Sequence, residues 1–379
     1  MHSPATRRWP ALHRRDFLRL SVGGGATLLS ATSLPLLSRQ AFAGETETLA
    51  AAARDEKALN TIALAPDWAN YRNIIERFGK QYGLDVRSAS PDATSAQELQ
   101  AVRSLKHQER APDVLDLGQP FALAGAREGL FAPYKVATWD TIPGDMKDGG
   151  GLWYADYFGI VSLGVNLSAV KNPPQSWADL KKPEYRGMIA LNGSPLGAGA
   201  AFGGVFAAAL ANGGSLDDIT PGISFFADLA ASGNFTPVAA SAASLTSGQT
   251  PIVINWDYLN LAQGAKMRGV TEVTTIVPND ATPFGNYYCQ AISKFAPHPA
   301  AARLWMEFIY SDEGQLLFLE GFAHPVRFTD LMNRGVVPDA LLAKLPSAEF
   351  YKAVRFPTIE QTTRAQKVLA AEWSRQVRT

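Results

Sequence analysis

One short segment combines three side chains that can recognise a cation. The apolar run Ile252 to Ile254 leads through Asn255 to Trp256, Asp257 and Tyr258. An aromatic face attracts an ammonium group, and a carboxylate accepts the hydrogen bonds of that group. The pattern therefore favours a site for an amine. Two structural alternatives stay open, since Asp257 can cap the helix that follows and Trp256 can pack in the core.

A second segment suits an anion. Residues 192–199 read Asn-Gly-Ser-Pro-Leu-Gly-Ala-Gly and precede an apolar stretch that predicts a helix over 200–210. Free backbone N–H groups at a helix start can hold a phosphate, a phosphonate or a carboxylate. We expect Gly197, Ala198 and Gly199 to supply such groups and Ser194 to add a hydroxyl. A tight turn that binds nothing is the structural alternative.

Tyrosines form the third group of candidates. Tyr287 and Tyr288 are adjacent, and Tyr157 ends the run Trp-Tyr-Ala-Asp-Tyr. Because side chains alternate along a strand, at most one of the adjacent pair faces a ligand, and Tyr287 is our candidate beside Tyr157. If such a tyrosine converged with Tyr258, their phenolates could bind a hard cation such as ferric iron.

Alternating strands and helices must position these residues. Apolar runs and helical periodicity predict, in order, a strand at 61–65, a helix at 70–82 closed by Gly83, a strand at 84–87, a helix at 95–106 and a strand at 112–117. This βαβαβ opening is typical of a parallel sheet, whose ligands lie beyond the carboxyl ends of the strands. Asp67 and Trp68 follow the first strand and are therefore candidates, with a core indole as the alternative for Trp68.

The later part of the chain repeats the alternation. Strands are predicted at 159–165, 188–191, 251–256, 273–277 and 290–292, and helices at 177–180, 200–210, 225–231, 258–267, 299–310 and 359–378. The docking of the last helix does not follow from the pattern. The mixed order indicates an α/β fold.

The first 43 residues predict an export signal. Arg14 and Arg15 stand before a weakly apolar stretch, Leu20 to Leu37, and Ala41-Phe42-Ala43 has the small-x-small pattern that signal peptidase cleaves. This arrangement resembles a twin-arginine signal, cleaved after Ala43, and a disordered basic tail is the alternative. We therefore expect a periplasmic, soluble mature protein.

Composition excludes several classes of protein. After the predicted cleavage 29 basic and 34 acidic residues remain, a net side-chain charge of about −5, which is no footprint of a nucleic-acid binder. Cys289 is the only cysteine, so there is no intramolecular disulfide and no lipid-modified cysteine at the new N-terminus. Three histidines remain, without the spacing of metal ligands. No Gly-x-Ser-x-Gly nucleophile elbow is present, and the dinucleotide motif Gly-x-Gly-x-x-Gly occurs after no predicted strand. We expect no metal, no cofactor and no catalysis.

Several passages in a fixed order resemble the periplasmic substrate-binding proteins of ABC importers, in the cluster that binds polyamines, ferric iron, thiamine and phosphorylated solutes. These passages are Gly129 to Tyr134, Tyr157 to Asn166, Asn172 to Leu180, Pro183 to Gly187, Ala296 to Pro299 and Tyr310 to Gln315. The resemblance implies a two-lobed type II periplasmic-binding-protein fold that closes around a solute. It places the hinge strands near 157–163 and 278–290, one lobe at 44–160 with 285–379, and the other at 161–284.

The resemblance also implies the function. A monomer would capture a small polar solute and deliver it to an inner-membrane ABC permease. Polyamines lead as ligands, and phosphate- or phosphonate-bearing organic compounds come second. Ferric iron is third, because iron-binding relatives carry adjacent tyrosines where this chain has Trp256, Asp257 and Tyr258. A twin-arginine-exported enzyme remains the alternative from another class.

Overall fold

The computed structural model describes the backbone of residues 34–378 and the side chains of residues 45–378. The predicted twin-arginine motif at Arg14 and Arg15 lies outside the described residues, and so do the side chains at the predicted cleavage site. Residues 44–379 form one compact unit of mixed α and β structure.

The described elements follow one another as α1 (Leu34–Glu56), β1 (Ala58–Ile62), α2 (Tyr71–Tyr82), β2 (Asp85–Ala89), α3 (Ser95–Leu105), β3 (Val114–Gly118), α4 (Gln119–Arg127), β4 (Phe131–Ala132), β5 (Tyr154–Asn166), β6 (Ile189–Leu191), α5 (Gly199–Ala211), α6 (Thr220–Ala231), α7 (Ala242–Ser247), β7 (Ile252–Trp256), α8 (Asp257–Lys266), β8 (Val273–Ile276) and β9 (Gly285–Ser293). The C-terminal part contains α9 (Pro299–Ile309), α10 (Asp312–Glu320), β10 (His324–Pro325), α11 (Phe328–Asn333), α12 (Asp339–Leu342), α13 (Ala348–Ala353) and α14 (Ile359–Gln376). Short 3-10 helices lie at Trp139–Thr141, Gly144–Met146, Ala178–Lys181 and Pro183–Tyr185. None of these described helices is both long and apolar enough to cross a bilayer.

Local sequence explains the helices that begin the fold. Gly83 ends α2 in the left-handed conformation, with φ of +71°, as the sequence predicts. Thr94 and Gln97 form a capping box that sets the start of α3. The predicted strand at 61–65 is wrong in position: β1 ends at Ile62 because Ala63 adopts a left-handed φ of +60°. The predicted helix at 177–180 is a 3-10 turn instead.

The first sheet is smaller than the sequence predicts. β1 and β2 pair in parallel, but β3 does not continue the ladder. The N–H of Asp113 donates to the carbonyl of Asn60, while the N–H of Asn60 donates to the Asp113 carboxylate at 2.6 Å. Since a side chain takes the place of the next backbone partner, the predicted three-stranded parallel opening is wrong for its third strand, and β3 pairs antiparallel with β9.

β5 joins the two parts of the larger sheet. Its strands run in the order β3-β9-β5-β7-β6, with β4 beside β9 and with β8 and β10 beside β5. β5 pairs with β9 as far as Ile160, opposite Gly285, and from Val161, opposite Trp256, it pairs with β7. We call β1 to β4 and β9 with their helices the first half, and β6 to β8 with α5 to α8 the second half.

The C-terminal helix touches both halves. The hydroxyl of Thr362 donates to the side-chain oxygen of Gln119 in α4, at 3.1 Å. Further along α14, the ring of Trp373 lies 5.6 Å from that of Phe226 in α6. The predicted helix at 359–378 is confirmed as a helix over Ile359–Gln376.

Candidate functional site

A cleft of about 910 Å³ lies between the two halves. The first half contributes the loop after β1, the start of α3, the middle of β3 and part of β9. The second half contributes the turn before α5, the segment 239–242, the end of β7 and one face of α8. Sites of this size, formed where two sheet systems meet, are the usual place for a small ligand.

Trp68 is held rigidly at the wall of this cleft. Its indole N–H donates to the hydroxyl of Tyr157 over 2.6 Å, and its ring meets Tyr258 and Tyr288 edge-on, with centroids 5.9 and 5.4 Å away. The next two residues, Ala69 and Asn70, adopt left-handed φ values of +44° and +69°. Such backbone strain costs on the order of 1–3 kcal/mol per residue and persists where surrounding contacts determine the conformation.

Asp116 is the central residue of β3 and lines the cleft beside these rings. The hydroxyls of Tyr71 and Tyr157 donate to its Oδ2 at 2.8 and 2.9 Å, while its Oδ1 has no hydrogen-bond partner within the described part of the chain. The residue is only 6% exposed. Burial raises the pKa of the Asp116 carboxyl to about 7, although the two donated hydrogen bonds oppose the rise.

A second carboxyl group, that of Glu98 in α3, lies next to Asp116. The backbone N–H of Asp116 donates to Glu98 Oε2 at 3.1 Å, and Glu98 also lines the cleft. Burial, and then the neighbouring charge of Asp116, raise the pKa of Glu98 well above its ordinary value. The pair is therefore an acidic site without a basic partner among the contacts described for it.

The mouth of the cleft carries the basic side chains. Lys266 of α8 contacts Asp67 of the β1–α2 loop at 2.6 Å, so this ion pair joins the second half to the first. Arg72 contacts the other oxygen of Asp67 at 3.5 Å. The hydrogen bond from Lys266 lowers the pKa of Asp67. Asp67 lines the cleft, but its carboxylate is already paired with Arg72 and Lys266.

The turn before α5 reaches the cleft in part. Gly197, Ala198 and Gly199 line it, whereas Ser194 is not among its lining residues. The Ser194 hydroxyl instead accepts the N–H of Leu196 at 3.3 Å, so it closes the turn. A Cβ on Gly199 would lie 3.2 Å from the hydroxyl of Tyr288. The lack of a side chain at Gly199 therefore lets the start of α5 lie close to Tyr288.

Asp257 and Trp256 lie behind the cleft and are not among its lining residues. Asp257 accepts the N–H of Ile160 at 2.9 Å and the hydroxyl of Tyr351 at 2.5 Å. Burial raises the pKa of Asp257 to about 6, and the hydrogen bond from Tyr351 opposes the rise. The Trp256 ring packs in the core, where a Cβ on Gly203 would come within 2.5 Å of it. Trp256 thus occupies the core, as its structural alternative states. Asp257 is the first residue of α8, and its side chain bonds to Ile160 and Tyr351 rather than acting as an N-cap.

The tyrosines divide between the cleft and its support. Tyr288 lines the cleft, whereas Tyr287 points to the other face of β9, where its hydroxyl accepts a hydrogen bond from Gln119 at 2.7 Å. Tyr157 is fully buried and stacks on Tyr288, with centroids 5.6 Å apart. Tyr258 is also buried and meets Trp68 at its ring edge. Tyr157 and Tyr258 therefore support the wall, and Tyr288 forms its surface.

The sequence analysis did not identify Glu98 and Asp116, whose carboxyl groups form what we call the cleft floor. Asp116 falls within the predicted strand at 112–117 and Glu98 within the predicted helix at 95–106, so both appeared as parts of elements. One signal was available: Asp116 interrupts the apolar run of Val114, Leu115 and Leu117, and a buried charge of this kind needs a partner.

The described residues offer no evident metal centre. They contain no group of three or more His, Cys, Asp or Glu side chains arranged to hold a metal ion. Burial also raises the pKa of the Tyr258 and Tyr288 hydroxyls, which disfavours the phenolate form that ferric iron prefers.

Solved structures share the fold. The periplasmic binding protein AfuA of Actinobacillus pleuropneumoniae, solved with fructose-6-phosphate, is 20% identical, with a TM-score of 0.63 over 84% of this chain and 99% of that one. Iron-bound HitA of Pseudomonas aeruginosa is 20% identical, with a TM-score of 0.64 over 85% and 99%. A Listeria monocytogenes protein with a proposed role as a spermidine/putrescine ABC transporter is 11% identical, with a TM-score of 0.62 over 83% and 98%.

These neighbours identify the fold as that of type II periplasmic binding proteins, and the predicted α/β class is confirmed. No curated protein sequence matches the chain. The family described as "Bacterial extracellular solute-binding protein" matches residues 109–352, which is more than half of the sequence. The chain therefore belongs to the bacterial extracellular solute-binding proteins, a family of ABC-transport components.

Proposed function

We propose that this protein binds a small polar solute with at least one ammonium group and delivers it to an inner-membrane ABC permease. The solute lies in the cleft between a lobe of residues 44–160 and 285–379 and a lobe of residues 161–284. The change of partner along β5, from β9 at Ile160 to β7 at Val161, supports this division. The protein acts as a monomer and catalyses no reaction.

One observation carries the choice of an amine. Asp116 is nine-tenths buried, lines the cleft and leaves Oδ1 without a partner in the described part of the chain, beside the rings of Trp68 and Tyr288. A buried carboxylate is stable only when it is paired, and an ammonium group between aromatic rings supplies both a counter-ion and hydrogen bonds. The role that the sequence suggests for Asp257 is thus assigned to Asp116.

The charges of the cleft support the same choice. Its lining includes the acids Asp67, Asp92, Glu98, Asp116 and Glu320 and the bases Arg72 and Lys266. Asp67 contacts both bases, so the remaining acids favour a cation. Polyamines therefore rank first. Phosphorylated organic compounds rank second, on the N–H groups at the start of α5, and ferric iron ranks third.

Thermal unfolding with added solute tests the proposal, because a ligand that binds only the folded state raises the melting temperature. Putrescine and spermidine should raise it, and Asp116→Asn should abolish the rise. Asp257→Asn is the matched control: Asp257 is also buried and also accepts a tyrosine hydroxyl, yet it does not line the cleft. If the rise in melting temperature persists in Asp116→Asn and disappears in Asp257→Asn, the amine binds at Asp257 and not at Asp116. Turnover of the added compound would instead indicate an enzyme.

Export is proposed on the sequence alone. We propose a twin-arginine signal that is cleaved after Ala43 and releases the protein into the periplasm. A double variant, Arg14→Lys with Arg15→Lys, should retain the precursor in the cytoplasm, whereas the same change at Arg7 and Arg8 should not. N-terminal sequencing of the exported product should begin at Gly44, and a different start would contradict the assigned cleavage site.

A further inference from the structure

The two carboxyl groups of the cleft floor suggest how the bound cation is neutralised. Glu98 and Asp116 are 1% and 6% exposed, and the hydrogen bond from the Asp116 N–H to Glu98 keeps them adjacent. The capping box of Thr94 and Gln97 sets the start of α3, and Glu98 and Leu99 lie on the buried face of this helix. Their proximity is therefore built into the fold.

The surroundings of this pair are acidic or neutral. Asp156 lies behind Asp116, and the Tyr71 hydroxyl contacts the carboxylates of both, at 2.8 Å from Asp116 and 3.3 Å from Asp156. Asp116 interacts electrostatically with two carboxyl groups, five tyrosines and one cysteine: Glu98, Asp156, Tyr71, Tyr157, Tyr258, Tyr288, Tyr310 and Cys289. Each of these side chains is neutral or negatively charged. The basic side chains that line the cleft contact Asp67 at its mouth instead.

Buried carboxylates that lie this close cannot both ionise without a counter-ion. We propose that the ammonium group of the solute enters in exchange for protons held by Glu98 and Asp116. This inference rests on the proposed function and specifies the chemistry of the same site. The protonated carboxyl loses H⁺ to water, the ammonium group keeps its three protons, and an ammonium–carboxylate pair forms. For a single exchanged proton, the charge of the site is unchanged.

The pKa shifts agree with this exchange. Burial raises the pKa of Asp116 to about 7 and that of Glu98 well above its ordinary value, so burial favours the protonated form of each group when no cation is bound. A bound ammonium group stabilises the ionised form and lowers both pKa values. The solute consequently binds best at higher pH and is released on acidification.

Isothermal titration calorimetry with putrescine tests the exchange, because amines of this type remain charged below a pH of about 10. At pH 7 the observed binding enthalpy should vary with the ionisation enthalpy of the buffer. The slope gives the number of protons released per solute bound, and it should be about 0.5 or greater. The Kd should rise about tenfold per pH unit below pH 6 for each proton exchanged. In Glu98→Gln, release at pH 7 should fall because one like charge is gone, and Asp257→Asn should release as the wild type does.

The outcomes separate the two proposals. Putrescine that binds without proton release between pH 6 and 8 overturns the exchange and leaves the proposed function intact. If neither putrescine nor spermidine binds, both are overturned. Should Glu98→Gln fail to fold, ¹³C NMR titration of the Asp116 carboxyl in the wild type decides: a pKa near 7 that falls with putrescine supports the exchange, and one below 5 overturns it.

Discussion

The indole N–H of Trp68 donates to the hydroxyl of Tyr157 over 2.6 Å. That hydroxyl in turn donates to Asp116 at 2.9 Å, so the aromatic wall and the acidic floor of the cleft are connected through one buried phenol. The loop after β1 and the crossing strand β5 therefore cooperate in placing the groups that would hold an ammonium ion.

Tyr157→Phe should weaken the binding of putrescine about tenfold at pH 7. The change removes one donor to the Asp116 carboxylate and the acceptor for the Trp68 indole, and a lost hydrogen bond of this kind costs about 1–1.5 kcal/mol. Calorimetric titration measures the effect. Tyr287→Phe is the control, because Tyr287 bonds to Gln119 outside the cleft lining. Equal losses in the two variants would show that the Tyr157 hydroxyl has no special role.

The stability of the solute-free protein should fall as the pH rises from 5 to 8. Folding raises the pKa of Asp116 from its ordinary value of 3.8 to about 7. The folded state therefore holds a proton that the unfolded chain has lost, and this contribution is fully present below pH 4 and disappears as the pH passes 7. Urea unfolding should show that Asp116→Asn removes about 1–3 kcal/mol of the decline. A decline that is the same in the variant would contradict the raised pKa.

Gly199→Leu should abolish the binding of putrescine, at some cost in stability because the Tyr288 side chain must shift. A Cβ at this position already lies 3.2 Å from the Tyr288 hydroxyl, and a longer side chain would fill the space between the start of α5 and β9. Gly149→Leu is the control, because no atom lies within 4 Å of a Cβ built there and Gly149 does not line the cleft. Putrescine should raise the melting temperature of the control variant and leave that of Gly199→Leu unchanged. If Gly199→Leu still binds, the ligand lies elsewhere in the cleft.

Ferric salts should produce no visible absorption band from tyrosinate coordination. Burial raises the pKa of Tyr258 and Tyr288, so a metal would have to displace protons that both hydroxyls hold firmly. Absorption spectra of the protein with and without ferric citrate make the comparison. A band that disappears in Tyr288→Phe would favour the iron alternative over the amine.

Short-range patterns predicted the elements well. The helix ending at Gly83, the helix starting near Ser95 and the strand ending at Trp256 carry their own signals in periodicity and capping residues. The position of β1 was harder to predict, because its end depends on the left-handed Ala63, which no residue preference indicates. Pairing of β3 with β9 joins segments far apart in sequence and has no local signal.

The candidate site shows the same limit. Trp68 follows a strand and could be chosen for that reason, and it lines the cleft. Asp257 could not be separated from a structural aspartate, because its partner Tyr351 lies 94 residues further along the chain. Asp116 has the opposite problem: only the packing of α2, α3 and β5 around β3 shows that its carboxylate reaches the cleft. Long-range contacts, not residue types, decide which acid meets a ligand.

The helix α14 has a mechanical consequence. Thr362, bonded to Gln119 in the first half, and Trp373, packed on Phe226 in the second, are about 16 Å apart on one rigid rod. A rotation about the crossing strands would have to slide this brace over α4 or α6. If the two halves rotate about the crossing strands as proposed, their resistance to that rotation is set partly by contacts of α14, whose residues are not among those that line the cleft.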